Sequence, residues 1–212
     1  MKPVGILALQ GAFHEHAAVF RTLGVDTVLL RQAKHFRPDA LCGLVLPGGE
    51  STVMGRLLVD LDLRAPLVES IKGGLPTFCT CAGLLLLAKR IINDPLVHLG
   101  TMDIVARRNA YGRQLGSFAV RENFRGLGSF PMTFIRAPWI ESVGENVDVL
   151  GRVQGRIVAA RDRHMLATAF HPELTDDSRV HQFFLSMCCA ERPTAQSATL
   201  FSQQLQSEIQ PA

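Results

Sequence analysis

The chain has 212 residues, 47% of them hydrophobic and 19% charged, enough for one well-buried α/β domain. Its formal net charge of +3 is small and dispersed, which argues against a nucleic-acid partner. No apolar run approaches the roughly eighteen residues of a membrane span, so no membrane role is expected.

Residues 3–9 are apolar but too short for a signal peptide, and Gln10, Gly11, His14, Glu15 and His16 follow at once. The run therefore reads as a first strand over 4–9, closed by a Gln10-Gly11 turn. Residues 12–23 read as an amphipathic helix with Phe13, Ala17, Phe20 and Leu23 on one side, and Gly24 fits its C-cap. Strands at 25–30 and 44–46 complete a β-α-β-loop-β order, the sign of a parallel sheet covered by helices. Pro47-Gly48-Gly49-Glu50-Ser51 follows at a strand's carboxyl end, where open α/β sheets place their ligands. Ser51 is expected to cap a helix over 52–58. A plain tight turn is the alternative, and no Gly-Lys-Ser/Thr ending makes the stretch a phosphate loop.

A helix over 63–72 leads through Gly73-Gly74 to Pro76-Thr77-Phe78-Cys79-Thr80-Cys81-Ala82-Gly83, followed by a leucine run. The order reads as strand, sharp turn and buried helix with Cys81 at the apex, a nucleophile elbow with sulfur in place of oxygen. A helix N-terminus offers unpaired N–H groups and partial positive charge, which favour a thiolate, and the small residues let a carbonyl approach the backbone. A buried structural cysteine is the competing reading.

Residues 101–160 change character, with β-like runs at 103–106, 117–120, 132–135, 147–153 and 156–160 between Gly-bearing turns. Residues 167–170 form the last strand and deliver His171-Pro172-Glu173. Proline holds the residue before it extended, and side chains two apart in an extended segment share a side. Glu173 can then accept the imidazole N–H and leave His171 to act on a thiol. Both stretches end parallel strands, so both are expected at one edge of the sheet; a surface His-Pro-Glu turn is the alternative. Thr175 or Asp176 is expected to cap a helix to about residue 190. A polar tail over 191–212 lies outside the domain, 1–190.

Weaker constellations remain. His14-Glu15-His16 and Cys79/Cys81 fit no structural zinc spacing, so no metal is expected. Arg108-Asn109 and Arg113-Gln114 read as a solvated basic loop or as a carboxylate site. Cys42, Cys79, Cys81, Cys188 and Cys189 are odd in number, with two close pairs unsuited to bridging one another. They suit free thiols in a reducing compartment, and cytoplasm is the expected location.

Leu9-Gln10-Gly11, Leu46-Pro47-Gly48-Gly49-Glu50-Ser51-Thr52, Thr80-Cys81-Ala82-Gly83-Leu84, Arg108-Asn109, Gly112-Arg113-Gln114, Phe134-Ile135-Arg136-Ala137-Pro138, Gly144-Glu145-Asn146-Val147 and Phe170-His171-Pro172-Glu173-Leu174-Thr175 occur in that order. Together they resemble the glutaminase subunits of pyridoxal 5′-phosphate synthase, a vitamin B6 branch of the class I glutamine amidotransferases, over about residues 3–190. The resemblance implies a single-domain α/β three-layer sandwich, flavodoxin-like, with a mostly parallel central sheet and helices on both faces. It implies hydrolysis of L-glutamine to glutamate and ammonia without a cofactor. Cys81 would be the nucleophile, His171 the proton carrier and Glu173 its orienting carboxylate. The backbone N–H groups of Gly49 and Ala82 would form the oxyanion hole. Gly49, Glu50, Ser51, Arg108, Ile135 and Arg136 would hold glutamine, and Gln10 would link the oxyanion hole to partner docking. The implied partner is the synthase (lyase) subunit, in a hetero-oligomer, which receives the ammonia through a channel. The family pattern departs at Cys79, where glycine is usual, and a Cβ there bears on the tightness of the elbow.

Other readings stay open at this level: a glutaminase of another biosynthetic amidotransferase, a cysteine-dependent peptidase or stress-type protein, or a catalytically silent interaction subunit.

Overall fold

The computed structural model describes residues 1–108 and 116–189. Its first strand, β1 (Val4–Leu7), is apolar and buried at every position, as a strand covered on both faces must be. Helix α1 (Phe13–Thr22) returns the chain to β2 (Thr27–Leu30), with Gly24 just past the helix end at φ +71°. Then follow β3 (Gly43–Leu46), α2 (Ser51–Asp60), α3 (Arg64–Lys72) and β4 (Thr77–Thr80). Beyond β4 come α4 (Ala82–Leu87), β5 (Ala88–Ile91), β6 (Met102–Arg107), β7 (Ser117–Phe124), β8 (Gly128–Ile135) and β9 (Trp139–Val143). β10 (Asp148–Val153), β11 (Arg156–Asp162), β12 (Met165–Thr168) and α5 (Arg179–Cys189) complete the described chain.

The main sheet runs β2-β1-β3-β4-β12-β11-β10-β7-β8, parallel from β2 to β12 and antiparallel beyond. The parallel half is the α/β sandwich the sequence leads one to expect. β4 shows the two helical layers. Phe78 packs on His16 of α1 and Phe184 of α5, each 5.6 Å between ring centroids, while Cys79 points to the other face, beside Gly83 of α4. Phe20, Phe78 and Phe184 are fully buried, each contributing at most about 3 kcal/mol of transfer free energy.

Several expectations need correction. β5 and β9 carry no clear strand pattern and were missed; the leucine run forms a helix of only six residues before the chain enters β5. α5 begins at Arg179, not after a cap at Thr175 or Asp176. The Thr175 hydroxyl donates back to the Pro172 carbonyl, and Asp177 Oδ1 accepts the Arg179 N–H at 3.1 Å instead. The tail over 191–212 lies outside the described residues.

Candidate active site

β4 and β12 are parallel neighbours with Thr80 opposite Thr168, so their carboxyl ends emerge together. At that edge Cys81 takes φ +47° and ψ −103°, a conformation that non-glycine residues rarely hold unless their surroundings enforce it. Its N–H donates to the Thr168 carbonyl at 2.8 Å, and α4 starts at the next residue. Gly83 makes this turn possible, because a Cβ there would strike the Leu46 carbonyl oxygen. The same space admits Cys79: a Cβ on Gly83 would lie 3.1 Å from the Cβ of Cys79. Cys79 thus lies directly beneath the elbow, against Gly83. It is wholly buried, and burial pushes its thiol well above the ordinary range, away from reactivity.

His171 enters from the end of β12, its N–H donating to the Thr133 carbonyl at 2.8 Å. Nδ1 lies 2.7 Å from Oε1 of Glu173, and both residues are buried. The pairing does not come from an extended segment, as the sequence pattern suggests: residues Pro172–Leu174 form a 3₁₀ turn that folds the carboxylate back under the ring. Burial alone would lower the imidazole pKa. The Cys81 and Glu173 side chains outweigh it and raise the value to about 10. Burial likewise opposes charge on Glu173, yet His16 and His171 hold that carboxyl below its ordinary value.

The glycine loop after β3 closes the site. Gly48 donates its N–H to Thr80 Oγ1 at 2.9 Å and accepts the Ala12 N–H at 3.0 Å. Gly11, at φ +92°, must lack a side chain, since a Cβ would sit on the Gly48 carbonyl. Gln10 Oε1 accepts the Glu50 N–H at 2.6 Å, which holds the peptide following Gly49. Ala82 opens α4, where an N–H has no intrahelical acceptor.

Glu50, not Ser51, caps α2: its carboxylate accepts the N–H groups of Thr52 at 3.2 Å and Val53 at 2.8 Å. A carboxylate at this end suits both the orphan donors and the helix dipole. Ser51 is freed to accept a hydrogen bond from the Arg108 guanidinium, which also pairs with Asp94 Oδ2 at 2.9 Å. Ile135 offers its carbonyl to the Cys81 thiol at 3.9 Å, and Arg136 follows at φ +44°.

These parts surround one cleft of about 480 Å³. Gln10, Gly49, Glu50, Ser51, Cys81, Ala82, Arg108, Ile135, Arg136 and His171 all line it, while Glu173 stands behind His171. The arrangement can deliver a thiol to a carbonyl, donate a proton from an imidazolium and collect negative charge on backbone N–H groups. Asn109, Arg113 and Gln114 lie outside the described residues. Sequence reasoning missed Thr80, Asp94, His16 and His181. His16 and His181 carried a signal: each is a polar residue in an apolar stripe at helical spacing, His16 with Phe13, Ala17 and Phe20, His181 with Phe184, Leu185 and Cys188. The apparent ligand partner of His16, His14, is exposed, which separates the two.

A solved glutamine amidotransferase matches this architecture with a TM-score of 0.83 and 41% identity, over 88% of this chain and 99% of that one. A GMP synthase protein from Thermoplasma acidophilum shares the fold at TM-score 0.67 and 20% identity, over 90% and 95% of the two chains. The fold is thus that of a glutamine amidotransferase. The chain belongs to the SNO glutamine amidotransferase family, whose model matches residues 6–190. It is 57% identical over 191 residues, 89% of its length and 98% of the relative's, to pyridoxal 5′-phosphate synthase subunit PdxT of Streptococcus pneumoniae strain CGSP14. The PdxT of strain ATCC 700669 is 58% identical over 187 residues, 87% of this chain and 97% of that protein.

Proposed function

We propose that the chain is a glutaminase that hydrolyses L-glutamine to L-glutamate and ammonia and supplies the ammonia for pyridoxal 5′-phosphate synthesis. The observation that carries this is the pairing of a positive-φ cysteine elbow with a buried His171–Glu173 couple across one parallel strand boundary. Sequence identity of 57% to a pyridoxal 5′-phosphate synthase subunit supports the choice of pathway over other amidotransferases.

In this reading the Cys81 sulfur attacks the side-chain amide carbon of glutamine. Negative charge moves onto the carbonyl oxygen, where the N–H groups of Gly49 and Ala82 receive it. Each such donor contributes roughly 3–4 kcal/mol in comparable sites. The His171 imidazolium gives its proton to the departing nitrogen, the C–N bond breaks, and ammonia leaves a thioester on Cys81. Water then attacks the thioester while His171 takes its proton, and glutamate is released with the thiol restored. Glu173 keeps the ring in the tautomer that presents Nε2 to the sulfur. Arg108, Ser51, Glu50, Ile135 and Arg136 hold the amino-acid end of the substrate.

The ammonia acceptor is a synthase subunit bound as a hetero-oligomer, and docking gates hydrolysis through Gln10. The five free cysteines suit a reducing compartment, so we assign the reaction to the cytoplasm. Steady-state glutaminase assays across a titration of the synthase subunit test the reading. Activation by the partner is expected; glutamine left intact at saturating partner would overturn it.

A further inference from the structure

Behind the catalytic couple, a line of buried side chains continues from the cleft into the core. Glu173 Oε2, the oxygen that does not face His171, lies 3.5 Å from Nε2 of His16, and both side chains are fully buried. The same His16 nitrogen is 3.2 Å from Thr80 Oγ1, and its Nδ1 is 3.0 Å from His181 Nε2. Elements far apart in the chain, α1, β4, α5 and the 3₁₀ turn, thus meet at one imidazole.

The acceptors dictate where the protons sit. Glu173 is a carboxylate whose Oε2 would repel a bare ring nitrogen 3.5 Å away, so Nε2 of His16 carries the proton and donates it to Thr80 Oγ1. His16 Nδ1 is then a bare acceptor and takes the Nε2–H of His181. That leaves His181 Nδ1 as a lone pair, and this atom is buried without a partner. The alternative, with the proton on His181 Nδ1, would strand a buried donor and face two lone pairs across 3.0 Å. Both rings stay neutral, since burial lowers the pKa of His16 and takes that of His181 to about 3. The hydrogen bonds then run from His181 to His16 and from His16 to Thr80, while Glu173 receives His171 on Oε1; its Oε2, buried without a hydrogen-bond partner, has the His16 Nε2–H 3.5 Å away.

We infer that His16 is a positioning residue for the reaction, its Nε2–H steadying the rear oxygen of Glu173 electrostatically across 3.5 Å while its hydrogen bond to Thr80 braces the oxyanion loop. Thr80 Oγ1 receives the Gly48 N–H at 2.9 Å, so one imidazole steadies both the proton carrier's partner and the loop that collects charge. His16 touches neither substrate nor sulfur and acts only through Glu173 and Thr80. His181 sets its tautomer. The inference rests on the reading of Cys81, His171 and Glu173 as catalytic.

Three variants of the full chain, assayed with the synthase subunit, test it: His16→Leu, His16→Gln and His16→Asn. Glutamine places its amide nitrogen near the imidazole Nε2, whereas asparagine reaches only the Nδ1 position. His16→Leu is expected to lower kcat by about 10- to 100-fold, the kinetic equivalent of losing one electrostatic contact with a buried carboxylate together with the hydrogen bond to Thr80, with KM little changed. His16→Gln is expected to recover most of that loss and His16→Asn little. Wild-type kcat in His16→Leu, or equal impairment in folded Gln and Asn variants, would overturn the inference. If His16→Leu does not fold, the Gln and Asn pair decides alone. The rate of Cys81 alkylation by iodoacetamide, followed by mass spectrometry without glutamine, should rank the variants in the same order. Should the wild type fail to hydrolyse glutamine, the glutaminase reading falls while the alkylation series still measures the hold of His16 on the site, with equal rates in all three variants overturning it.

Discussion

The side-chain carbonyl of Gln10 accepts the backbone N–H of Glu50 at 2.6 Å, joining the end of the first strand to the loop after the third. The bond orients the peptide that follows Gly49, in a loop where glycine offers little steric resistance to rotation. Gln10→Ala removes the acceptor and adds no bulk. A fall in partner-stimulated kcat is expected, up to the roughly 100- to 1000-fold that one lost oxyanion donor costs. Unaltered kcat and unaltered dependence on the partner would leave Gln10 a structural residue only.

Cys79 and Cys81 separate cleanly by environment. Cys81→Ser should abolish glutamine hydrolysis. Cys79→Ser should retain it, with a stability loss of about 1–3 kcal/mol for a hydroxyl placed in an apolar site. Mass spectrometry after a glutamine-analogue electrophile should find the label on Cys81; a label on Cys79 would reverse the assignment.

Charge on His171 depends on its neighbours. Burial lowers its pKa while Cys81 and Glu173 raise it to about 10, so removing either partner must shift the titration downward. NMR of the ring in Glu173→Gln should show a lower pKa than wild type, and kcat should fall without unfolding. Because the folded pKa lies above the ordinary histidine value of about 6.5, the stabilisation is complete below that pH. It declines as pH rises from there toward 10. Urea melts across that range should show wild type losing its margin over Glu173→Gln; parallel curves would contradict the coupling.

Gly83 is required by space rather than by dihedral angle. An alanine Cβ would meet the Leu46 carbonyl oxygen, which is backbone and cannot step aside. Gly83→Ala should therefore lower stability by about 1–3 kcal/mol, and it should cost activity because the strain is relieved by lifting α4 and Cys81. Denaturant melts together with glutaminase assays check this, and a variant with unchanged activity would show that the elbow tolerates displacement.

What the amino-acid order determined by itself was local: short apolar strands, glycine turns, a cysteine before a leucine helix and a His-Pro-Glu after the last strand. Those patterns suffice because strand burial, turn geometry and helix termini depend on neighbours a few positions away. The ranges of β1, α1, β3, α3 and β11 follow from them to within two residues or so. Tertiary structure alone decided the rest. β5 and β9 are strands because other strands pair with them, a fact no local pattern in either segment expresses. Asp94 reaches Arg108 across 14 positions, and His16 reaches Glu173 through the contact of α1 with a turn at the far end of the chain. A buried histidine on an apolar stripe is visible in the sequence; what it faces is not. That depends on which carboxylate the fold brings within reach, and burial, by excluding water, makes the answer consequential.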